Sequence, residues 1–208
     1  MAEKDGMAKV VEGYQRFHQE AYPKRHELFE RLKDKQMPQV LFITCSDSRI
    51  DPALITQTEP GELFVCRNIG NIVPAENDAA GGVNAVLEYA ILALKVSHIV
   101  VCGHSDCGAM KALKDLDAPG LKAMPSVRKW LRHAEPAVAM AQKGNPADLT
   151  HALIRENVRL QLQHIERHAV VSPRLAEGTL HLHGWVYDIG KGQAETVDQA
   201  SGSWRPLA

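Results

Sequence analysis

Three short apolar runs, each ending at a polar cluster or turn, are separated by segments of helical spacing in the first half of the chain. Residues 40–44 (VLFIT) form a continuous apolar run, the pattern of a strand covered on both faces, and give way to Cys45-Ser46-Asp47-Ser48-Arg49. Asp51-Pro52 then reads as a helix N-cap followed by the first helical position. After the Glu59-Pro60-Gly61 turn, residues 62–67 (ELFVCR) form a second predicted strand. Gly81-Gly82 precedes a helix whose apolar positions Val83, Val86, Leu87, Ala90, Ile91 and Leu94 recur at helical spacing. Residues 98–102 (HIVVC) are a third buried strand, ending at Gly103-His104-Ser105-Asp106-Cys107-Gly108.

The flanking regions read differently. Residues 7–35 are charged and helix-prone, with Pro23 breaking them into two helices, and form an N-terminal helical arm over 1–35. Between 115 and 147, Pro119, Gly120, Pro125, Pro136, Gly144 and Pro146 predict loops and one short helix around 127–133. Asn145-Pro146 opens a long helix to about residue 168, with Ile154, Val158, Leu162 and Ile165 on one stripe. Residues 179–187 (TLHLHGWVY) alternate as a fourth strand, and 190–208 is a polar tail with one edge strand. Strands separated by helices predict an α/β fold. The expectation is one domain over 36–208, with a mostly parallel sheet of four to five strands flanked by helices.

Composition narrows the function classes. The chain has 208 residues, 24 Lys and Arg against 25 Asp and Glu, and a net charge of -1. Charge this balanced carries no general footprint for nucleic acid or an anionic membrane, so a partner must be recognised by a local site. The amino-terminal residues are charged from the third onward and lack the apolar core of a secretory signal, and no stretch has the length of a membrane span. A cytoplasmic, reducing location follows as the expectation, which favours free, metal-bound or catalytic thiols over disulfides.

Two of the early strands end in a cysteine with polar company: Cys45-x-Asp47-x-Arg49 after the first, and His104-x-x-Cys107 after the third. In open α/β sheets the ligand crevice lies at such carboxyl ends. Two thiolates and an imidazole suit zinc, and the remaining position falls to Asp47 or to water. Zinc with two thiolates and a neutral imidazole is formally uncharged, so Asp47 and hydroxide compete for one place. Arg49 can hold Asp47 off the metal. Two thiolates also make a metal-held water less acidic than three imidazoles would, which predicts alkaline-favoured activity. Cys66 and Cys102 sit inside strands, where packing explains them. His181 and His183 share one face of the fourth strand and read as hydrogen-bonded core or interface residues.

At these residues the chain resembles the β-class carbonic anhydrases. The strings CSDSR (45–49), PGELFVCRNIGN (60–71), AVLEYA (85–90) and HIVVCGHSDCGAMKAL (98–113) resemble that family's core motifs in order, and HGWVYDI (183–189) its later strand. The resemblance implies one Zn2+ per chain on Cys45, His104 and Cys107, with Asp47 as exchangeable fourth ligand or gate and Arg49 as its partner. It also implies a substrate pocket at a dimer interface involving Gln36, Phe64, Ile69, Tyr89 and Gly108. Gln36 would be a donor to bound substrate, and Phe64, Ile69 and Tyr89 apolar walls suited to carbon dioxide; without the resemblance, Phe64 and Tyr89 read as core packing. One branch of the family has a tryptophan three residues before the first zinc cysteine, within an inhibitory bicarbonate pocket. Phe42 stands there in this chain, so it resembles the plant-like and cyanate-operon-like branch, in which an open site is usual.

The implied reaction is reversible hydration of carbon dioxide to bicarbonate and a proton by a metal-activated hydroxide. Hydrolysis of carbon disulfide or carbonyl sulfide at the same site, and a non-catalytic zinc-bearing bicarbonate sensor, are the rival readings. Arms of this kind wrap a partner subunit in the resembled family, so a homodimer is the expected minimum and a homotetramer is compatible. The apolar positions Val10, Val11, Tyr14 and Phe17 fit that use.

Overall fold

Backbone pairing in the computed structural model, which describes residues 5–75 and 81–208, joins six strands into one sheet of order β2-β1-β3-β4-β5-β6. These are β1 (Val40–Cys45), β2 (Leu63–Asn68), β3 (His98–His104), β4 (His181–Asp188), β5 (Gln193–Val197) and β6 (Trp204–Pro206). The first four run parallel, β5 pairs antiparallel with β4, and β6 antiparallel with β5. From β1 the chain crosses to β2 on one side and then returns to β3 on the other. The carboxyl ends of β1 and β3 therefore flank a topological switch point, where open α/β sheets place their ligands.

Side chains alternate across the sheet with the period of two that strands impose. Leu41, Ile43, Cys45, Ile99 and Val101 enter a large buried cluster with the helix Leu149–Glu166, which contributes Leu153, Ile154, Val158, Leu162 and Ile165. Phe42, Val100 and Cys102 form a smaller cluster on the other face, against Val40, Ile55, Trp185 and Tyr187. Gly184 of β4 lets the long helix and β5 approach the strand closely. A Cβ there would lie 2.7 Å from Val197 Cγ1, 2.8 Å from Leu162 Cδ1 and 2.9 Å from Val158 Cγ1.

The sheet has six strands rather than four to five, because the polar tail supplies two. Asp188 Oδ1 accepts from the N–H groups of Gly190 and Lys191 at the turn into β5, a bend that strand alternation does not encode. Only Val197 of β5 is fully buried, so the segment reads as polar. In residues 115–147 the helix expected around 127–133 is present as Pro125–Leu131, and Pro119–Lys122 and Pro136–Gln142 are helices as well. Each proline begins its helix, where its missing N–H costs nothing. The long helix starts after Asp148, whose carboxylate accepts from His151 N at 3.0 Å, and not at Asn145-Pro146.

Contacts divide the chain into two units, Met1–Gln36 and Met37–Ala208. In the first, the Asp5 carboxylate caps the helix Gly6–Arg16. A π-turn follows at Phe17–Ala21, then Tyr22–Lys24 and His26–Leu32. Pro23 stands at the start of Tyr22–Lys24, and the interruption falls at Arg25, whose backbone leaves the helical region. Phe17, Tyr22 and Phe29 pack ring on ring, whereas Met7, Val10 and Tyr14 are exposed. Residues 1–4 of the expected arm lie outside the described residues.

Two outcomes follow. Gly184→Ala overpacks the helix–sheet contact and lowers stability by about 1–3 kcal/mol in urea unfolding. His183, also on β4, is held below the ordinary imidazole pKa by burial, with His98 and His181 adding to the effect. Its folded form favours the neutral ring, so its contribution is complete above about pH 6.5 and is lost as pH falls through the lower folded value. Between pH 7.5 and 5, the urea midpoint of the native protein therefore falls more than that of His183→Gln.

Candidate metal centre

Cys45 ends β1, His104 ends β3, and Cys107 precedes the helix Gly108–Leu113. All three are buried, and their ligand atoms lie within 4.8 Å of one another. His104 Nδ1 donates to the carbonyl of Ser105 at 2.9 Å, which leaves Nε2 as the bare lone pair. That Nε2 is buried without a hydrogen-bond partner. An unpartnered buried acceptor is costly, and one aimed at two sulfurs fits a cation. Gly70 N–H donates to Cys45 Sγ at 3.4 Å. The Cys45 thiol is drawn well below its ordinary range because Cys107 S–H donates to it, and Cys107, the donor of that bond and itself buried, is pushed up. One thiolate is thus already favoured before any ion arrives. Two sulfurs and one imidazole match the tetrahedral preference of zinc, with one position left.

Asp47 faces this group without joining it. Arg49 grips its carboxylate in a fork, Nε to Oδ1 at 2.9 Å and Nη2 to Oδ2 at 2.8 Å, and donates its backbone N–H to Oδ1 at 3.0 Å. Asp47 Oδ2 is 3.9 Å from His104 Nε2. The Arg49 guanidinium holds the Asp47 carboxyl well below the usual carboxylate range. The other side of Arg49 is held in turn, with Nη1 donating to Asp106 Oδ2 at 3.1 Å and Asp106 ion-paired to Lys111. Asp106 adopts a positive φ of 60°, a left-handed conformation that aspartate tolerates better than most residues. Arg67 ties down the backbone of the same segment, donating to the carbonyls of Cys45 at 3.1 Å and Asp47 at 2.7 Å.

Residues 40–194 match the sequence profile of the carbonic anhydrase family. The chain belongs to that family. Its class is β: over 97% of the chain and 100% of the other, it superposes on the β-carbonic anhydrase CcaA with TM-score 0.93 and 39% identity. A carbonic anhydrase of Pseudomonas aeruginosa is 48% identical over 97% of this chain and 92% of its own length. A solved structure of tetrameric β-carbonic anhydrases from the filamentous ascomycete Sordaria macrospora matches with TM-score 0.73 and 30% identity, over 96% of this chain and 95% of that one.

The carbonic anhydrase fold brings some of the remaining expected residues together. Phe64, half-buried on β2, and Tyr89, half-exposed at the start of a π-turn, have ring centroids 5.8 Å apart. Ile69 is exposed beside Gly70, and its carbonyl accepts from Trp130 Nε1 at 2.8 Å. Gly108 is exposed next to Cys107, with open space where a Cβ would point. Gln36 is the last residue of the first unit and is exposed. Cys66 and Cys102 are buried in the two apolar clusters, and burial pushes Cys102 up to about 12, so it is inert as a nucleophile or ligand.

Residues that sequence patterns did not single out support this centre from behind. Asn157 and Gln161, on the long helix, are buried. Asn157 Nδ2 donates to Gly70 O at 3.0 Å, Gln161 Nε2 donates to Asn157 Oδ1 at 2.8 Å, and Gln161 Oε1 accepts from Val73 N at 2.9 Å. Their spacing of four was the available signal, since two amides one turn apart on an apolar stripe must bond something. Asn157→Ala leaves the Gly70 carbonyl unpaired beside the sulfur-bonding N–H. Zinc affinity in that variant, measured by chelator competition, is expected to fall about 10- to 100-fold, with about 1–3 kcal/mol of stability lost in urea unfolding.

Proposed function

We propose that this chain catalyses the reversible hydration of carbon dioxide to bicarbonate and a proton, with Cys45, His104 and Cys107 holding one zinc ion. The observation that carries the reading is the buried, unpartnered His104 Nε2 facing two thiol sulfurs at the switch point of the sheet. A zinc ion held there would supply Lewis acidity, which makes water ionise near neutral pH and stabilises negative charge developing on oxygen.

The chain's own residues supply the rest. Ser105 O accepts from His104 Nδ1, which turns Nε2 toward the two sulfurs. Arg49, braced by Asp106, keeps Asp47 ionised and turned aside from the three donors. Asp47 in this orientation would accept a hydrogen bond from a water beside the three donors and so orient it toward carbon dioxide. Phe64, Ile69 and Tyr89 offer apolar walls to a neutral linear gas, and Gly108 leaves the mouth open. In this reading the first unit is a dimerising arm, supported by exposed Met7, Val10 and Tyr14, and by the tetrameric state of the Sordaria macrospora relatives. A homodimer is the minimum assembly. Four free thiols suit a reducing cytoplasm, and among the described residues no helix is long and apolar enough to cross a membrane.

Stopped-flow hydration with metal analysis tests the proposal. Zinc near one per chain and activity at pH 8.5 support it; activity absent with zinc bound overturns it in favour of a sensor. A large preference for carbon disulfide or carbonyl sulfide would make the chain a hydrolase of those substrates. Cys45→Ser loses both zinc and activity, a hydroxyl being a poor zinc donor. Arg49→Ala keeps zinc but frees Asp47 to compete with water, so activity at pH 7.5 drops about 10- to 100-fold and the pH profile moves. An unmoved profile removes Asp47 and Arg49 from the gating role.

A further inference from the structure

At the opposite end of the sheet, His98 lies against two further histidines. His98 opens β3 and pairs in register with His181 of β4, and His183 follows two residues later on the same face. His98 Nδ1 stands 3.1 Å from His183 Nε2. The His98 ring lies 5.3 Å from that of His181, nearly parallel at 28°, and 5.2 Å from that of His183. His98 and His104 are six residues apart along β3, which separates this cluster from the candidate metal centre by about 20 Å.

The nitrogen separation has a specific meaning. Two imidazoles that ligate one ion at about 2.0–2.1 Å, with an angle of about 90–109° between them, hold their nitrogens about 2.9–3.4 Å apart. The His98–His183 pair is already at that bite. A single N–H···N hydrogen bond would also give 3.1 Å, but it accounts for two rings and leaves the third unexplained. His181 is exposed, lies against His98, and makes no side-chain hydrogen bond among the described residues. None of the three is ion-paired to a carboxylate among those residues either. A donor set of three imidazoles selects copper, nickel or zinc over magnesium or calcium.

The geometry points to a second metal site in this protein, in which His98 and His183 form the preset pair and His181 turns in as third ligand to a divalent transition ion. It is independent of the Cys45–His104–Cys107 centre, shares no residue with it, and stands whether or not the hydratase reading does.

The test uses the zinc-loaded full-length protein and Ni2+ as probe, so that the two metals are counted separately. Nickel uptake by equilibrium dialysis and mass spectrometry is expected to approach one per chain, with zinc retained. His183→Gln should abolish this uptake. His181→Gln, an exposed substitution that leaves the core untouched, should weaken it at least tenfold, since even an indirect partner of a metal ligand is worth about that much. Retained zinc in each variant certifies its fold. No nickel uptake by the native protein, or equal uptake by native protein and both variants, overturns the assignment.

Discussion

The parallel pairing of β1 with β3, from Val40 opposite His98 to Thr44 opposite Cys102, brings Cys45 and His104 to the same end of the sheet. Cys107 follows His104 by one tight turn, so a single register brings all three donors together. A slip of one residue would turn Cys45 and the apolar residues before it to the opposite face. The ladder is buried on both sides, by the long helix on one and by the Phe42 cluster on the other, and this burial makes such a slip expensive. Thr44 adds a polar lock, donating through Oγ1 to the carbonyl of Cys102 at 2.9 Å.

Around that frame the protein separates support from chemistry. Buried amides on the long helix brace the loop carrying Gly70, and Gly70 in turn bonds the Cys45 sulfur. On the solvent side, a chain of alternating charges runs from Asp47 through Arg49 and Asp106 to Lys111. Surface ion pairs contribute little to stability, but this one is forked and shared, and its effect is orientation. The buried amides are satisfied only in one arrangement, whereas the exposed charges can exchange partners. A rigid rear wall and an adjustable front are what a site with an exchangeable position needs.

The two ends of the sheet hold different donors for the same reason. Strand alternation places every second side chain on one face, so His98 and His104 share a face of β3 at opposite ends. Sulfur and buried imidazole dominate the carboxyl end, where the switch point opens a crevice. Imidazole alone gathers at the amino end, where β3 and β4 start in register and His181 is still exposed.

The buried parallel strands were legible because continuous apolar runs have few other uses, and the donors because they stand where those runs stop. The sequence by itself determined the α/β class, the cysteines that pack rather than bind, and the residues able to form the site. It found the helix that Pro125 begins but misread the prolines at 119 and 136, since a proline that starts a helix and one that breaks it look alike without the preceding backbone. It also missed half the tail sheet, because an edge strand needs little apolar surface to announce itself. Tertiary structure alone decided that Asp106 holds Arg49, that Asn157 and Gln161 stand behind Gly70, and that His98 meets His183. Each of these joins residues far apart in the chain, through hydrogen bonds whose geometry no local pattern of hydrophobic and polar positions encodes.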